Sequence, residues 1–375
     1  MARSENQRPT LREVAEQAGV SLMTVSYTFN NPARVSAETR ARVADAAARV
    51  GYQGKNPWAT SLRSGRSGAL GVVFSEHLTY AFSDPQAAGF LEGVASVCAE
   101  QGLGLTFIPT LGDERDAERI SSAAVDGYVF WTTEEGDPAL DAAAETHRPC
   151  SIQGGPSHEG FTTVAPDDRL AAAAISAAGM DSTVRSPVIV SFSLNGHRSA
   201  RSGYGLPIEE ALLPVTRDRL LGFRDTLLGA GIPWEAVYTV SLSRNVRSEA
   251  AAAIAELFDV GRIPIDAALC MSDELALGVL NSARMVGRRI PEDLVVTGWD
   301  DGPSADSEGL TSLRQSLYDQ GRSCGLIAAG LPHDLGDVPW SVVPRGSTRA
   351  RSTEKATRSR DLLTDVRCST APPST

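Results

Sequence analysis

Two architectures in series are predicted for this 375-residue chain. An all-α segment carrying a helix-turn-helix comes first, and an α/β body of two lobes with parallel, doubly wound sheets follows. Three observations predict them. Residues 10–30 hold two short helical patterns meeting at a glycine; short β-rich runs alternate with helical ones from residue 69 onward; and charge divides between the two parts. Residues 1–66 hold ten basic and five acidic residues, a balance of +5. The rest therefore carries −16 of the total −11. A small basic module on a large acidic body suits a chain that meets a polyanion at one end only.

Composition narrows the class. Hydrophobic residues make up 42% and charged residues 22%, as in ordinary globular proteins. No apolar run approaches the ~18 residues of a membrane helix, so no membrane partner is expected. The first twenty residues lack an apolar core segment, so no secretory signal is expected. Cys98, Cys150, Cys270, Cys324 and Cys368 are scattered, without Cys-x-x-Cys or nearby histidine. That spacing excludes a disulfide framework and a zinc finger, and it fits the reducing cytoplasm expected here.

The N-terminal segment, 1–53, is read from its caps. Thr10-Leu11-Arg12-Glu13 is a capping box, and Val14, Ala15 and Ala18 form the inward face of a first helix. Gly19 suits the left-handed position after it. Ser21 caps a second helix, Leu22 to about Asn30, with Val25 and Phe29 inward. Small Ala15, turning Gly19 and apolar Val25 are the skeleton of a helix-turn-helix. Ser36 caps a third helix ending near Gly51, with Val43, Ala46, Ala47 and Val50 inward. Residues 54–68 then hold Asn56-Pro57, a good helix start, and a basic glycine-serine linker. The helix predicted there is one or two turns long, too short to be stable alone.

TLREVAEQAGVSLMTVSYTFNNPARVSAETRARVADAAARVGY resembles the headpiece of the lac/gal repressor family of bacterial regulators. The resemblance runs through residues 54–68 and on to about Thr348. It implies a double-stranded DNA operator, a homodimer and a small-molecule effector of carbohydrate or nucleoside type. It also implies that Leu22 and Met23 read bases from the major groove, while Ser21, Thr24 and Asn30 contact phosphate or hold the fold. Thr10 and Ser26 complete the DNA-facing set. Leu62 matches a leucine that wedges into the minor groove, and Ala59 a neighbouring contact. Tyr27 stands where the family usually has arginine, so a phenol replaces a bidentate guanine contact. Thr60 likewise replaces a common arginine.

In the body, 69–348, strands are predicted at Leu70–Phe74, Leu103–Ile108, Gly127–Trp131, Pro187–Phe192, Val237–Leu242, Ala267–Met271 and Leu294–Trp299. Helices are predicted at Asp84–Gln101, Asp113–Val125, Asp218–Gly229, Val246–Phe258 and Asp273–Val286. A break near Thr162–Asp167 separates two lobes. In such folds ligands bind at the carboxyl ends of strands, here between the lobes. The resemblance implies a periplasmic-binding-protein-like body whose first lobe is completed by a late segment.

The resemblance also implies effector contacts. Arg219 matches an arginine that clamps ligand hydroxyls, Asp273 and Asp300 match acidic cleft positions, and Gln315 a polar one. From the residues alone, Asp273 also reads as a helix cap, and Arg219 and Asp300 as structural ion-pair partners. Trp131 and Trp299 read equally as core or as a stacking shelf. Ser75 opens the loop after the first strand, 75–84, where His77 reads as a polar lining group. After the fourth strand the family's acidic residue is replaced, with Gln153 the one polar candidate there.

Residues 349–375 read as a disordered tail. Leu362 and Leu363 are too few for a heptad tetramerisation helix, so a dimer is expected. The usual phosphate-loop, dinucleotide, nucleophile-elbow and zinc-protease motifs are all missing. No catalytic residue, metal ligand or cofactor is therefore expected. The function expected is a ligand-responsive regulator, most naturally a repressor. The alternatives are an effector-independent DNA-binding regulator and, further off, a solute-binding protein.

Overall fold

The computed structural model describes residues 9–52, 65–74, 82, 84–194, 199–260, 263–334 and 336–349. Ala59, Leu62, Ser75 and His77, and the tail beyond Arg349, lie outside the described residues. The chain divides into two compact units, Met1–Ser67 and Gly68–Thr375.

The first unit contains α1 (Leu11–Ala18), α2 (Leu22–Asn30) and α3 (Ala37–Val50). The capping box closes as expected: Glu13 accepts from the Thr10 amide at 2.7 Å, and Thr10 Oγ1 accepts from the Glu13 amide. Gly19 and Gly51 end α1 and α3 with φ of 61° and 72°. Val14, Ala15, Ala18, Val25, Val43, Ala46 and Ala47 form the small core. Phe29 departs from expectation. It is 38% exposed and meets the Tyr52 ring edge-on instead of entering that core.

The second unit begins with β1 (Ala69–Phe74), α4 (Pro85–Gln101), β2 (Gly104–Pro109), α5 (Asp116–Ser121), β3 (Gly127–Phe130), α6 (Pro138–Ala144), β4 (Cys150–Gln153) and β5 (Phe161–Val164). These strands make one wholly parallel sheet, ordered β2-β1-β3-β4-β5. Alternation along β1 sets its two faces. Leu70, Val72 and Phe74 pack with Phe90 and Val94 of α4, whereas Val73 packs with Ile120 and Leu140 on the other side. Helix α5 is shorter than its spacing predicts. The Asp116 carboxylate accepts from the amides of Leu111, Gly112 and Asp113, which holds that stretch in a loop.

The second lobe holds α7 (Asp168–Gly179), β6 (Pro187–Ser191), β7 (Arg201–Tyr204), α8 (Pro214–Gly229), β8 (Tyr238–Ser241), α9 (Arg247–Val260), β9 (Ala267–Cys270), α10 (Asp273–Met285), β10 (Val295–Asp300), α11 (Pro303–Ser307) and β11 (Thr311–Arg314). With the late β12 (Ser341–Val343), its strands are ordered β12-β11-β10-β9-β6-β8-β7. The sheet is parallel except at its two antiparallel edges. The predicted break is where β5 gives way to Asp167, which caps α7.

One late element crosses back. Helix α12 (Leu317–Ala328) leaves the second sheet after β11 and packs on α4 and β4 of the first. A Cβ at Gly93 would stand 2.0 Å from the Tyr318 carbonyl, and one at Gly321 2.0 Å from the Phe90 carbonyl. Backbone meets backbone there, which only glycine permits. Within α12, Gly321 and Gly325 weaken helix propensity, which hides it from a propensity reading. Among the described residues no helix is long and apolar enough to cross a membrane.

Candidate functional site: a helix face and an interlobe pocket

The recognition surface expected on α2 is built by its cap. Ser21 Oγ accepts from the Thr24 amide at 3.1 Å and bonds the Thr24 hydroxyl at 2.8 Å, so the first turn is held without using its outward side chains. Leu22 and Met23 are 50% and 64% exposed, although Val25 beside them is fully buried. Two apolar residues left in water on the first turn gain nothing from this unit's own core. They are the type that packs on thymine methyl groups. Asn30 donates to Ser26 Oγ at 3.0 Å, which ties together two of the DNA-facing candidates. The Tyr27 ring has the Arg34 guanidinium 5.6 Å from its centre.

In the second unit, a pocket opens between the lobes at the carboxyl ends of the strands. Its walls include Asp84 and Gln86 from the start of α4, Asn245 from the β8–α9 loop, and Asp273, Asp300 and Ser304. The space within it is about 40 Å³ and opens to solvent. Ties cross it: Asn245 Nδ2 donates to Asp84 Oδ2 at 2.8 Å while Ser272 Oγ donates to Asn245 Oδ1 at 2.5 Å. Arg217 adds a further tie to Glu135 at 2.9 Å.

Asp273 is not the cap of α10; Ser272 is, accepting from the Leu275 amide. The Asp273 carboxylate turns instead toward the pocket floor, accepting from the Ser312 hydroxyl at 2.6 Å and the Gly302 amide at 2.8 Å. A Cβ at Gly298 would lie 2.4 Å from Asp273 Oδ1, so glycine there makes its room. Burial pushes its pKa up to about 6 against those hydrogen bonds. Asp300 is raised well above the usual carboxylate range, first by burial and then by the charge of Asp273. The two share a space in which both do not ionise easily. Asp300 also holds a left-handed φ of 103° and accepts from Gln315 Nε2 at 2.8 Å, not from a cation.

Three candidates lie elsewhere. Arg219 is 6% exposed and faces inward: Nε donates to Asp168 at 2.8 Å and Nη1 to the Met271 carbonyl at 2.7 Å, with Trp299 beneath. Its geometry is that of the structural ion pair, and it does not line the pocket. Trp131 is core, stacked on Phe74 at 5.8 Å and edge-on to Phe90 at 5.0 Å. Trp299 is fully buried. The structure thus brings Asp273, Asp300 and Gln315 together and leaves Arg219 and Trp131 outside. Sequence reasoning missed Asp84 and Asn245. Asp84 before Pro85 carries a cap signal, which hid its second bond, and Asn245 carries no local signal.

A helix-turn-helix unit and a two-lobed α/β unit with a polar interlobe pocket make up the architecture of a DNA-binding regulator. Residues 10–54 match the bacterial regulatory proteins of the lacI family, and residues 194–348 match the periplasmic binding protein-like domain. The transcriptional regulator IpsA of Corynebacterium glutamicum is 35% identical over 83% of this chain and 88% of its own length. The transcriptional repressor CytR of Escherichia coli K12 is 27% identical over 93% and 99%. Among solved structures, a lacI-family regulator from Corynebacterium glutamicum superposes with a TM-score of 0.68 at 30% identity, covering 92% of this chain and all of that one. A CelR–cellobiose complex gives 0.60 at 25%, covering 91% and all of that chain. The chain belongs to the lacI family of bacterial regulatory proteins, and it is a DNA-binding transcriptional regulator.

Proposed function

We propose that this protein is a cytoplasmic, homodimeric repressor whose operator affinity is set by a small polyhydroxylated effector held between the lobes of 69–348. Two headpieces, 1–53, read a near-palindromic operator through Leu22 and Met23. Residues 54–68 serve as the hinge, with Leu62 wedging at the operator centre beside Ala59 and Ser75 reaching the effector.

The observation that carries the effector reading is the convergence of Asp84, Asn245, Asp273 and Asp300 at the strand ends. Carboxylates and an amide accept and donate to hydroxyl groups, and none of these four attracts an anion. A sugar or nucleoside therefore fits better than a phosphorylated or carboxylated metabolite. The cellobiose bound by the structurally similar CelR supports a carbohydrate. The space within the pocket holds only a few waters, so a whole sugar is accommodated there by parting the lobes. Lobe parting is then the step that couples effector to hinge.

A second reading, a regulator without effector, draws on that same small space and on the inward-turned Arg219. Thermal unfolding of the full chain against neutral sugars and nucleosides separates the two. A true effector at 100 times its Kd stabilises by about 2.7 kcal/mol. It should also change affinity for an operator selected from random duplexes about 5- to 150-fold. Asn245→Ala should remove both effects. A panel that stabilises nothing, or stabilises the variant equally, overturns the pocket assignment.

A further inference from the structure

Three glutamines join the pocket to the first lobe in one unbroken row. Gln153 Nε2 donates to Gln320 Oε1 at 3.1 Å, Gln320 Nε2 to Gln315 Oε1 at 3.1 Å, and Gln315 Nε2 to Asp300 Oδ1 at 2.8 Å. Gln153 ends β4 of the first sheet, Gln320 lies on α12, Gln315 sits between β11 and α12, and Asp300 ends β10 of the second sheet. We propose that Gln153, Gln320 and Gln315 are positioning residues forming a coupling relay that carries the hydrogen-bonding state of Asp300 from the pocket to the five-stranded lobe. The proposal rests on the effector reading of that pocket.

The direction of the row is what makes it a relay. Asp300 accepts through Oδ1, so Gln315 presents its NH₂ to Asp300 and its oxygen to Gln320. Gln320 then presents its oxygen to Gln153. Turning one amide alone sets NH₂ against NH₂ or oxygen against oxygen. Gln320 and Gln153 are 2% and 6% exposed, so water does not repair such a mismatch. The three amides therefore keep or lose their order together, which gives a two-state element biased by whatever bonds to Asp300. A ligand hydroxyl donating to Asp300 competes with Gln315 for the carboxylate and loosens the row at its pocket end. The far end reaches the first lobe without slack, because Gly321 and Gly93 hold α12 backbone-to-backbone against α4. Asp84, the N-cap of α4, lies in the same pocket and receives the Asn245 tie. The row and that tie connect the two lobes by separate paths.

The test is a double-mutant cycle read by hydrogen exchange on the full-length chain, with no ligand added. Asp300→Gly removes the acceptor while tolerating the left-handed backbone, and Gln315→Leu cuts the row in the middle. The readout is exchange of the Gly154 amide, which donates to the Val164 carbonyl beside Gln153 in the first lobe. Asp300→Gly should speed that exchange about tenfold in the wild-type background, and less than about twofold when Gln315 is already Leu. Equal acceleration in both backgrounds, or none in the first, overturns the relay. A purely structural role of Gln315 appears in the single variant and cancels in the ratio. Gln315→Met repeats the cycle if the leucine variant does not fold. Because no effector enters the experiment, its failure is distinct from a failure to find one.

Discussion

The guanidinium of Arg219 lies 3.9 Å from the centre of the Trp299 ring. Its Nε reaches Asp168 at 2.8 Å, and both partners are nearly buried. This stacks a cation, an aromatic face and a carboxylate beneath the pocket, in the layer that joins α7 to α8. Arg219 is thus an internal support of the second lobe.

Arg219→Ala should cost about 3–5 kcal/mol at neutral pH, because it strands the Asp168 charge in the interior. Burial already raises the Asp168 pKa, and Arg219 opposes that rise. Without the arginine the pKa climbs further, so protonation relieves the folded state and the deficit should shrink as the pH falls. Urea unfolding at neutral and at mildly acidic pH checks both parts. A variant as stable as the wild type, yet unable to respond to effector, would restore the ligand-clamp reading.

The Asp273–Asp300 pair predicts a pH dependence of the body. Both folded pKa values are raised, Asp273 to about 6. The folded state therefore keeps protons that the unfolded chain releases near an ordinary carboxylate pKa of about 4. The contribution of the pair is fully present below that value and is lost as the pH rises through about 6. Relative to the wild type, Asp273→Asn should be flatter in unfolding free energy across that window. Parallel curves for the two proteins would show that the pair does not share a proton.

Gly321→Ala should destabilise the body by about 3 kcal/mol, since its Cβ meets the Phe90 backbone and not a movable side chain. Gly102→Ala is not an adequate control because its φ is +66°; Gly89→Ala is, with nothing within 4 Å of the added carbon. Denaturant midpoints for the two variants should separate clearly.

On the headpiece, Leu22→Ala and Met23→Ala should leave stability within about 0.5 kcal/mol, as exposed positions do. Each should cost about 1–3 kcal/mol in affinity for a selected operator. Val25→Ala should do the reverse at first hand, losing about 1–3 kcal/mol of stability from a fully buried position. Circular dichroism melts beside operator titrations distinguish the two classes.

How much was legible follows from how local each signal is. Thr10 and Glu13 stand three residues apart, and Gly19 ends its helix by its own backbone, so α1 and its turn are readable from the ten residues Thr10–Gly19. Strand and helix alternation likewise exposes most of the body, although α5 is trimmed by Asp116 and the antiparallel edge β7 (RSGY) gives no hydrophobic run. The family resemblance singles out Asp273 and Asp300, which line the pocket, and Gln315, which bonds Asp300. Asp84 and Asn245 are 161 positions apart and bond only after both lobes have formed.

By itself the sequence determined the helix-turn-helix, the α/β class, the family and the division of charge, because caps, periodicity and composition act within a few turns of chain. Only the tertiary structure decided which way the polar side chains face. It turned Arg219 inward onto Asp168, and within the returning late segment that the resemblance implied it set Gln320 against Gln153, 167 positions away. A buried polar group must satisfy its hydrogen bonds with whatever the fold brings near it, and that neighbourhood exists only once the sheets are assembled.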